Sequence, residues 1–290
     1  MKNHSLSNNV TLVTAFFDIG TLVKGNENNV RSPSKYKEWM SIFRYIENPL
    51  YAYVDTIENL EAFKEIRQPY INKTKVILID KNQLWGFNLK ENISQIFSSP
   101  FYPKYYPNTV NPDYSCAMHA KYGVMNQSIY ENAFRTKYFA WVDVGYFSRS
   151  INDIHSPFGI HLPYKFHERK VSFGEVYKPM RRTLKQIIEN NEIWVAGGFF
   201  LANVKVMKKW VEDYMYYTKK FIELGLISTD QQVIYGLMQP SVQKSSKFRR
   251  RRVDINEYTS SYDKWYALGY NCTYNLNVKL EGGIYKVVNN

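Results

Sequence analysis

Short apolar runs that alternate with longer stretches of helical periodicity are the feature that most limits what this chain can become. Val10-Thr-Leu-Val-Thr-Ala-Phe-Phe17, Leu50-Tyr-Ala-Tyr-Val54 and Lys75-Val-Ile-Leu-Ile79 are rich in β-branched and aromatic residues and read as strands, the first buried on both faces. Between them Tyr36, Trp39, Met40, Phe43 and Ile46, and then Leu60, Phe63 and Ile66, recur at helical spacing, with Ser32-Pro33-Ser34 supplying a helix start. Strand, helix, strand repeated in this way predicts βαβ units and a mainly parallel sheet. The first eighty residues therefore read as a nucleotide-binding half-sheet.

The pattern continues less regularly. Residues 81–112 are rich in Asn, Pro and aromatics, which predicts a helix near Leu89–Phe97 and then an extended excursion. Tyr114, Met118, Tyr122, Met125 and Ile129 mark a helix of about five turns, which leads into the strand Tyr138–Asp143. Beyond it the reading is a loop-rich stretch to about residue 178, a helix over Met180–Ile188, a strand at Ile193–Leu201, a long helix from Val204 to Leu224 and a short one over Thr229–Met238. The remainder reads as irregular.

Composition excludes several classes. With 290 residues, 44% of them hydrophobic and 17% aromatic, the chain buries a large core and is not disordered. No apolar run reaches the roughly 18 residues that span a bilayer, and the first nine residues have no apolar core of a signal peptide, so the expectation is a soluble, cytoplasmic protein. Cys116 and Cys272 have no metal-like spacing and are expected to be reduced, inert thiols. The net charge of +12 invites a nucleic-acid partner, but most of it is dispersed lysine, and the one dense cluster is Lys247-Phe-Arg249-Arg250-Arg251-Arg252. Charge alone does not select a ligand here.

Phe139-Ala-Trp-Val-Asp143-Val-Gly145 carries the strongest chemical signal. In a doubly wound sheet ligands bind beyond the carboxyl ends of the strands, so a carboxylate that ends an apolar strand is displayed into the crevice. A glycine two positions later lets the backbone pass close to a ligand. A carboxylate there can hold Mg²⁺ or Mn²⁺ against a diphosphate, or it can cap a neighbouring turn. Two further stretches draw notice. Gly197 and Gly198 sit inside the apolar run Trp194–Phe200, which weakens a strand unless something needs the space, a β-bulge being the plain alternative. Asp230 follows Ser228 and Thr229 at a helix start, where the helix dipole by itself stabilises a carboxylate.

Together the runs Thr11–Asp18, Tyr36–Met40, Phe139–Gly145 and Ala196–Phe200 resemble the bacterial HtrL/YibB-like family over roughly residues 10–240. That family is similar to glycosyltransferases of the GT-A fold. The resemblance implies an α/β fold, a GT-A-like (Rossmann-like) mixed, mainly parallel sheet flanked by helices with an irregular C-terminal segment. It implies one domain over 1–290, with a donor half at 1–145, an acceptor half at 146–240 and a basic, aromatic segment at 241–290. The implied activity is transfer of a hexosyl or N-acetylhexosaminyl group from a nucleotide-sugar, a UDP-sugar above all, to a glycan, lipid or protein hydroxyl, with a divalent cation (Mn²⁺ or Mg²⁺) as cofactor.

Carried over by position, Thr14, Ala15 and Phe16 would line the nucleoside pocket and Asp55 would accept from the base. Asp143 would stand in the aspartate-x-aspartate motif and be the metal ligand, and Gly197 and Gly198 would lie against the donor sugar. From spacing alone, Gly145 brings backbone close to the donor, and Lys121, about one residue from the Tyr114-Met118-Tyr122 stripe, either reaches over its edge to the donor or stays a surface lysine, the commoner outcome for this residue type. Asp230 would be catalytic near the acceptor. The sequence departs from the family pattern at two points: Trp141 and Gly145 flank Asp143 where a second aspartate would stand, and all five histidines precede residue 168. Without a metal, the diphosphate would be offset by Arg249 to Arg252 or by Lys264. Two other readings stay open on sequence alone: a non-catalytic carbohydrate- or nucleic-acid-binding protein, nucleic acid being the less favoured partner, and a degenerate transferase with a scaffold role.

Overall fold

The computed structural model describes residues 9–24, 29–244 and 252–288. One seven-stranded sheet organises them. Its strands are β1 (Val10–Phe16), β2 (Leu50–Val54), β3 (Thr74–Leu78), β4 (Tyr138–Val142), β5 (Val171–Glu175), β6 (Val195–Asn203) and β7 (Ile255–Tyr258), in the spatial order β7-β5-β6-β4-β1-β2-β3. All pairings are parallel except those of β6, which runs antiparallel to both β4 and β5.

The apolar runs lack polar alternation because both faces of the sheet are covered. Successive residues of β4 go to opposite sides: Phe139 and Trp141 join one core, Tyr138, Ala140 and Val142 the other. The first core is closed by the helices α3 (Lys90–Ser98), α4 (Pro112–Glu131), α5 (Leu184–Glu189), α6 (Val204–Glu223) and α7 (Asp230–Leu237). The second is closed by α1 (Pro33–Met40), α2 (Ile57–Ile66) and α8 (Ala267–Asn271). Ser32 caps α1 by accepting from the Lys35 backbone N–H, with Pro33 opening the helix, as the sequence anticipates.

Three expectations need correction. The stretch expected to be loop contains β5, whose Val-Ser-Phe-Gly-Glu sequence has only two large apolar residues and so gives little signal. The helix expected from Met180 starts only at Leu184, because Thr183 and Gln186 form a reciprocal capping box that fixes its first turn there. The C-terminal segment is not irregular: β7 adds a parallel strand beside β5 and α8 packs on the second core. A strand of four residues at a sheet edge, Ile-Asn-Glu-Tyr, has too short a period to be read without its partner.

Both cysteines are free and buried, and burial pushes the Cys116 thiol up to about 12, so it stays protonated. Among the described residues no helix is long and apolar enough to cross a membrane.

Candidate functional site

At the carboxyl ends of β1 and β4 the sheet opens into a cleft of about 1290 Å³ of empty space, its mouth included. Its position follows from the topology, since the chain leaves β1 and β4 on this side and the loops must part around the reversed strand β6. Three side chains from three elements, Asp143, Lys121 and Asp230, meet in it.

Asp143 is the first residue beyond β4. Its backbone N–H still donates to the Gly198 carbonyl of β6 at 2.9 Å, so the strand pairing carries the residue to the cleft wall. Residues two apart on a strand share a face, and the Trp141 indole donates to Asp143 Oδ1 at 2.6 Å. The carboxylate is about 39% exposed, enough for a ligand to reach it.

Lys121 comes from the middle of α4 and is buried. Its ammonium donates to Asp230 Oδ2 at 2.9 Å and to the Gly197 carbonyl at 3.1 Å, and lies 3.4 Å from Asp143 Oδ1. Burial works against its charge, but Asp143 and Asp230 outweigh it and hold the ammonium protonated above the ordinary lysine range. The helix-edge position thus turns the side chain inward and not to solvent.

Asp230 opens α7 and is also buried. Its pKa is raised, first by burial and further by Asp143, with Lys121 pulling in the opposite direction. Two carboxylates thus share one cation. The start of α7 is pinned from α4: Ser115 Oγ donates to the Ser228 carbonyl at 2.6 Å, and His119 Nε2 contacts the same oxygen at 3.1 Å. His119 Nδ1 lies 2.6 Å from the Tyr214 hydroxyl, and burial lowers its pKa to about 3, so it is a neutral structural histidine.

Two glycines make this arrangement possible. A Cβ on Gly197 would lie 2.5 Å from Asp230 Oδ2, so the space left by the missing side chain is filled by the carboxylate. A Cβ on Gly145 would meet the Trp39 ring at 2.7 Å, so this glycine lets α1 close against the end of β4. Both were expected to give room to a ligand; both lie on the cleft wall, but the room is taken by protein. Gly198 also lines the cleft. The β-bulge is present as well: Phe173 pairs with Phe200 and Glu175 with Val195, which leaves Ala196–Phe199 out of the β5 ladder.

The other expected residues divide. Ala15 and Phe16 line the cleft. Thr14 does not: it shares a face of β1 with Phe16 but lies two residues further from the strand end, fully buried in the sheet. Asp55 is not part of the lining either. Its carboxylate accepts from the Asp18 backbone N–H at 3.0 Å and pairs with Lys81 at 3.1 Å, which fixes the turn after β1. Lys264 is exposed and outside the lining, while its neighbours Trp265 and Tyr266 form part of the rim. Arg249, Arg250 and Arg251 lie outside the described residues, and Arg252 sits against Met238 Sδ at 2.9 Å, away from the cleft lining.

Sequence reasoning missed two cations. Leu22–Val23 and Val30–Arg31 form an antiparallel ribbon over the cleft, which places Lys24 and Arg31 in its wall. The Lys24 ammonium lies 5.7 Å from the centre of the Tyr114 ring and the Arg31 guanidinium 5.4 Å from that of Trp39. Tyr114 raises the Lys24 pKa, ahead of burial and the nearby Arg31, which lower it. A basic residue just before the Ser32-Pro33 helix start is the only signal that could have pointed to Arg31.

A family model described as bacterial protein of unknown function (HtrL_YibB) matches residues 8–241, most of the chain. The chain belongs to that family. A search of curated proteins finds no match.

Proposed function

We propose that this member of the HtrL_YibB family is a glycosyltransferase of GT-A-like architecture that moves a hexosyl or N-acetylhexosaminyl group from a nucleotide-diphosphate donor, a UDP-sugar first, to an acceptor hydroxyl. The observation that carries the reading is the meeting of Asp143, Lys121 and Asp230 in one cleft at the carboxyl ends of parallel strands, where α/β sheets bind nucleotides. The half-exposed Asp143 faces the donor. Asp230, whose raised pKa suits proton transfer better than an ordinary carboxylate, acts on the acceptor hydroxyl as general base. The exposed flank of Trp265 on the rim offers an apolar face to a sugar ring, with a glycan, lipid or protein as acceptor.

The cleft residues do not fit a divalent cation. Mg²⁺ and Mn²⁺ need several carboxylate or water oxygens free of other positive charge. Here Asp143 Oδ1 already takes an indole N–H and faces an ammonium at 3.4 Å, and Asp230 is buried against the same ammonium. Among the described residues no group of three or more His, Cys, Asp or Glu side chains is arranged to hold a metal.

Thermal melts with UDP, UDP-glucose and UDP-N-acetylglucosamine test the proposal. A ligand at 100 times its Kd stabilises by about 2.7 kcal/mol, or roughly 5–10 °C for a chain of this size. Asp143→Asn should remove most of the shift while leaving the fold intact, since Lys121 keeps Asp230 as partner. No shift with any nucleoside diphosphate or its sugar would overturn the reading.

A further inference from the structure

We infer that Lys24 and Arg31 form a clamp for the diphosphate of the donor and take the place that a divalent cation would otherwise hold; this rests on the nucleotide-sugar reading above. Three cationic side chains line the cleft among the described residues, and Lys121 is committed to two carboxylates. Lys24 and Arg31 are not: neither has a carboxylate within ion-pair distance among the described residues, and each rests on an aromatic ring. The ribbon holds them to one another, with Leu22 opposite Arg31 and the Lys24 backbone N–H donating to the Asn29 carbonyl at 3.0 Å. Like charges kept close in a partly desolvated wall repel, which is a cost unless an anion lies between them.

A second observation comes from hydrogen bonding. Arg31 Nε is buried and has no hydrogen-bond partner, although buried guanidinium N–H groups are normally satisfied. A diphosphate supplies what is lacking: two adjacent anionic groups, one able to accept from the guanidinium fork and one from an ammonium. Gly145 contributes indirectly, because it admits the Trp39 ring on which the Arg31 guanidinium rests.

The test is calorimetric titration of the full chain with inorganic pyrophosphate, UDP and uridine, each with EDTA and with Mn²⁺. The clamp predicts that pyrophosphate and UDP each bind as well in EDTA as with Mn²⁺. It also predicts that Lys24→Ala and Arg31→Ala each weaken both about tenfold or more, as expected for the loss of a charge-assisted phosphate contact. Arg31→Lys should recover only part, and Lys264→Ala should bind as wild type. Circular dichroism melts establish that the variants are folded, and Lys24→Gln replaces Lys24→Ala if the latter is not. The clamp is overturned if pyrophosphate does not bind in EDTA, if binding needs Mn²⁺, or if the double variant binds as well as wild type. UDP binding that persists in those cases leaves the nucleotide-sugar reading standing. Pyrophosphate binding that depends on Lys24 and Arg31 without any nucleotide binding leaves an anion site at these residues but overturns both the donor assignment and the nucleotide-sugar reading.

Discussion

Lys121→Met is the most informative single change, because it deletes the positive charge shared by two carboxylates while keeping a long apolar stem. Asp230, with a side chain only 3% exposed, then loses its cation at 2.9 Å and keeps Asp143 as a negative neighbour. Removing one partner of a buried pair costs about 3–5 kcal/mol, which for a chain of this size lowers Tm by roughly 6–20 °C. The pH dependence fixes the cause. In the native protein the pKa of Asp230 is raised by burial and by Asp143 against the pull of Lys121 and, more weakly, of Lys24, so without Lys121 burial and Asp143 are opposed only by the smaller influence of Lys24. The native variant therefore binds a proton more readily than the unfolded chain, whose aspartates titrate near about 3.9. That contribution is fully present below the unfolded value and is lost as pH rises through the folded one, so the deficit should be smaller at about pH 5 than at about pH 8. Urea unfolding of wild type, Lys121→Met and Lys121→Met/Asp230→Asn at both pH values measures it. The double variant should recover at least half of the loss, since a neutral amide needs no cation. A deficit below about 1 kcal/mol at pH 8, or no recovery in the double variant, would refute the shared-cation account.

Gly197→Ala places a methyl group 2.5 Å from Asp230 Oδ2 and should cost about 1–3 kcal/mol, with a loss of nucleotide-sugar turnover; a melt indistinguishable from wild type would contradict the packing argument. His119, held near pKa 3 by burial, stays neutral in the native state while an unfolded histidine protonates near about 6.5, so its stability contribution is complete above that pH and falls by about 1.4 kcal/mol per pH unit on acidification towards 3. In His119→Gln the acid limb of stability against pH should be flatter between about pH 6 and pH 4, and parallel curves would count against it. Trp265→Ala, at a half-exposed rim position, should leave the unfolding midpoint nearly unchanged but reduce the advantage of a UDP-sugar over UDP about threefold or more; equal losses for both ligands would show that Trp265 does not face the sugar.

The sequence by itself determined the layers and the direction of the site. Apolar runs without polar alternation at Val10–Phe17, Leu50–Val54 and Tyr138–Val142 can only be strands covered on both faces, and a carboxylate ending the third is carried to the carboxyl edge whatever the loops do. Lys121 was legible only in part, because helical periodicity places it one residue from a buried stripe, where a solvent-facing lysine is the ordinary outcome, and the structure buries it. What the tertiary structure decided is which of these groups meet. Gly197 and Asp230 are far apart in sequence, and nothing local indicates that the missing Cβ of one is filled by the carboxylate of the other. Thr14 and Asp55 lie in the right strands but outside the cleft, one because it is set back from the end of β1 and covered, the other because Asp18 and Lys81 claim its oxygens. The positive charge that lines the cleft besides Lys121 lies on the ribbon at Lys24 and Arg31, not at Lys264 or Arg252. Pairing of charges depends on distances across elements, and those are set by packing of the whole sheet against its helices rather than by any run of residues.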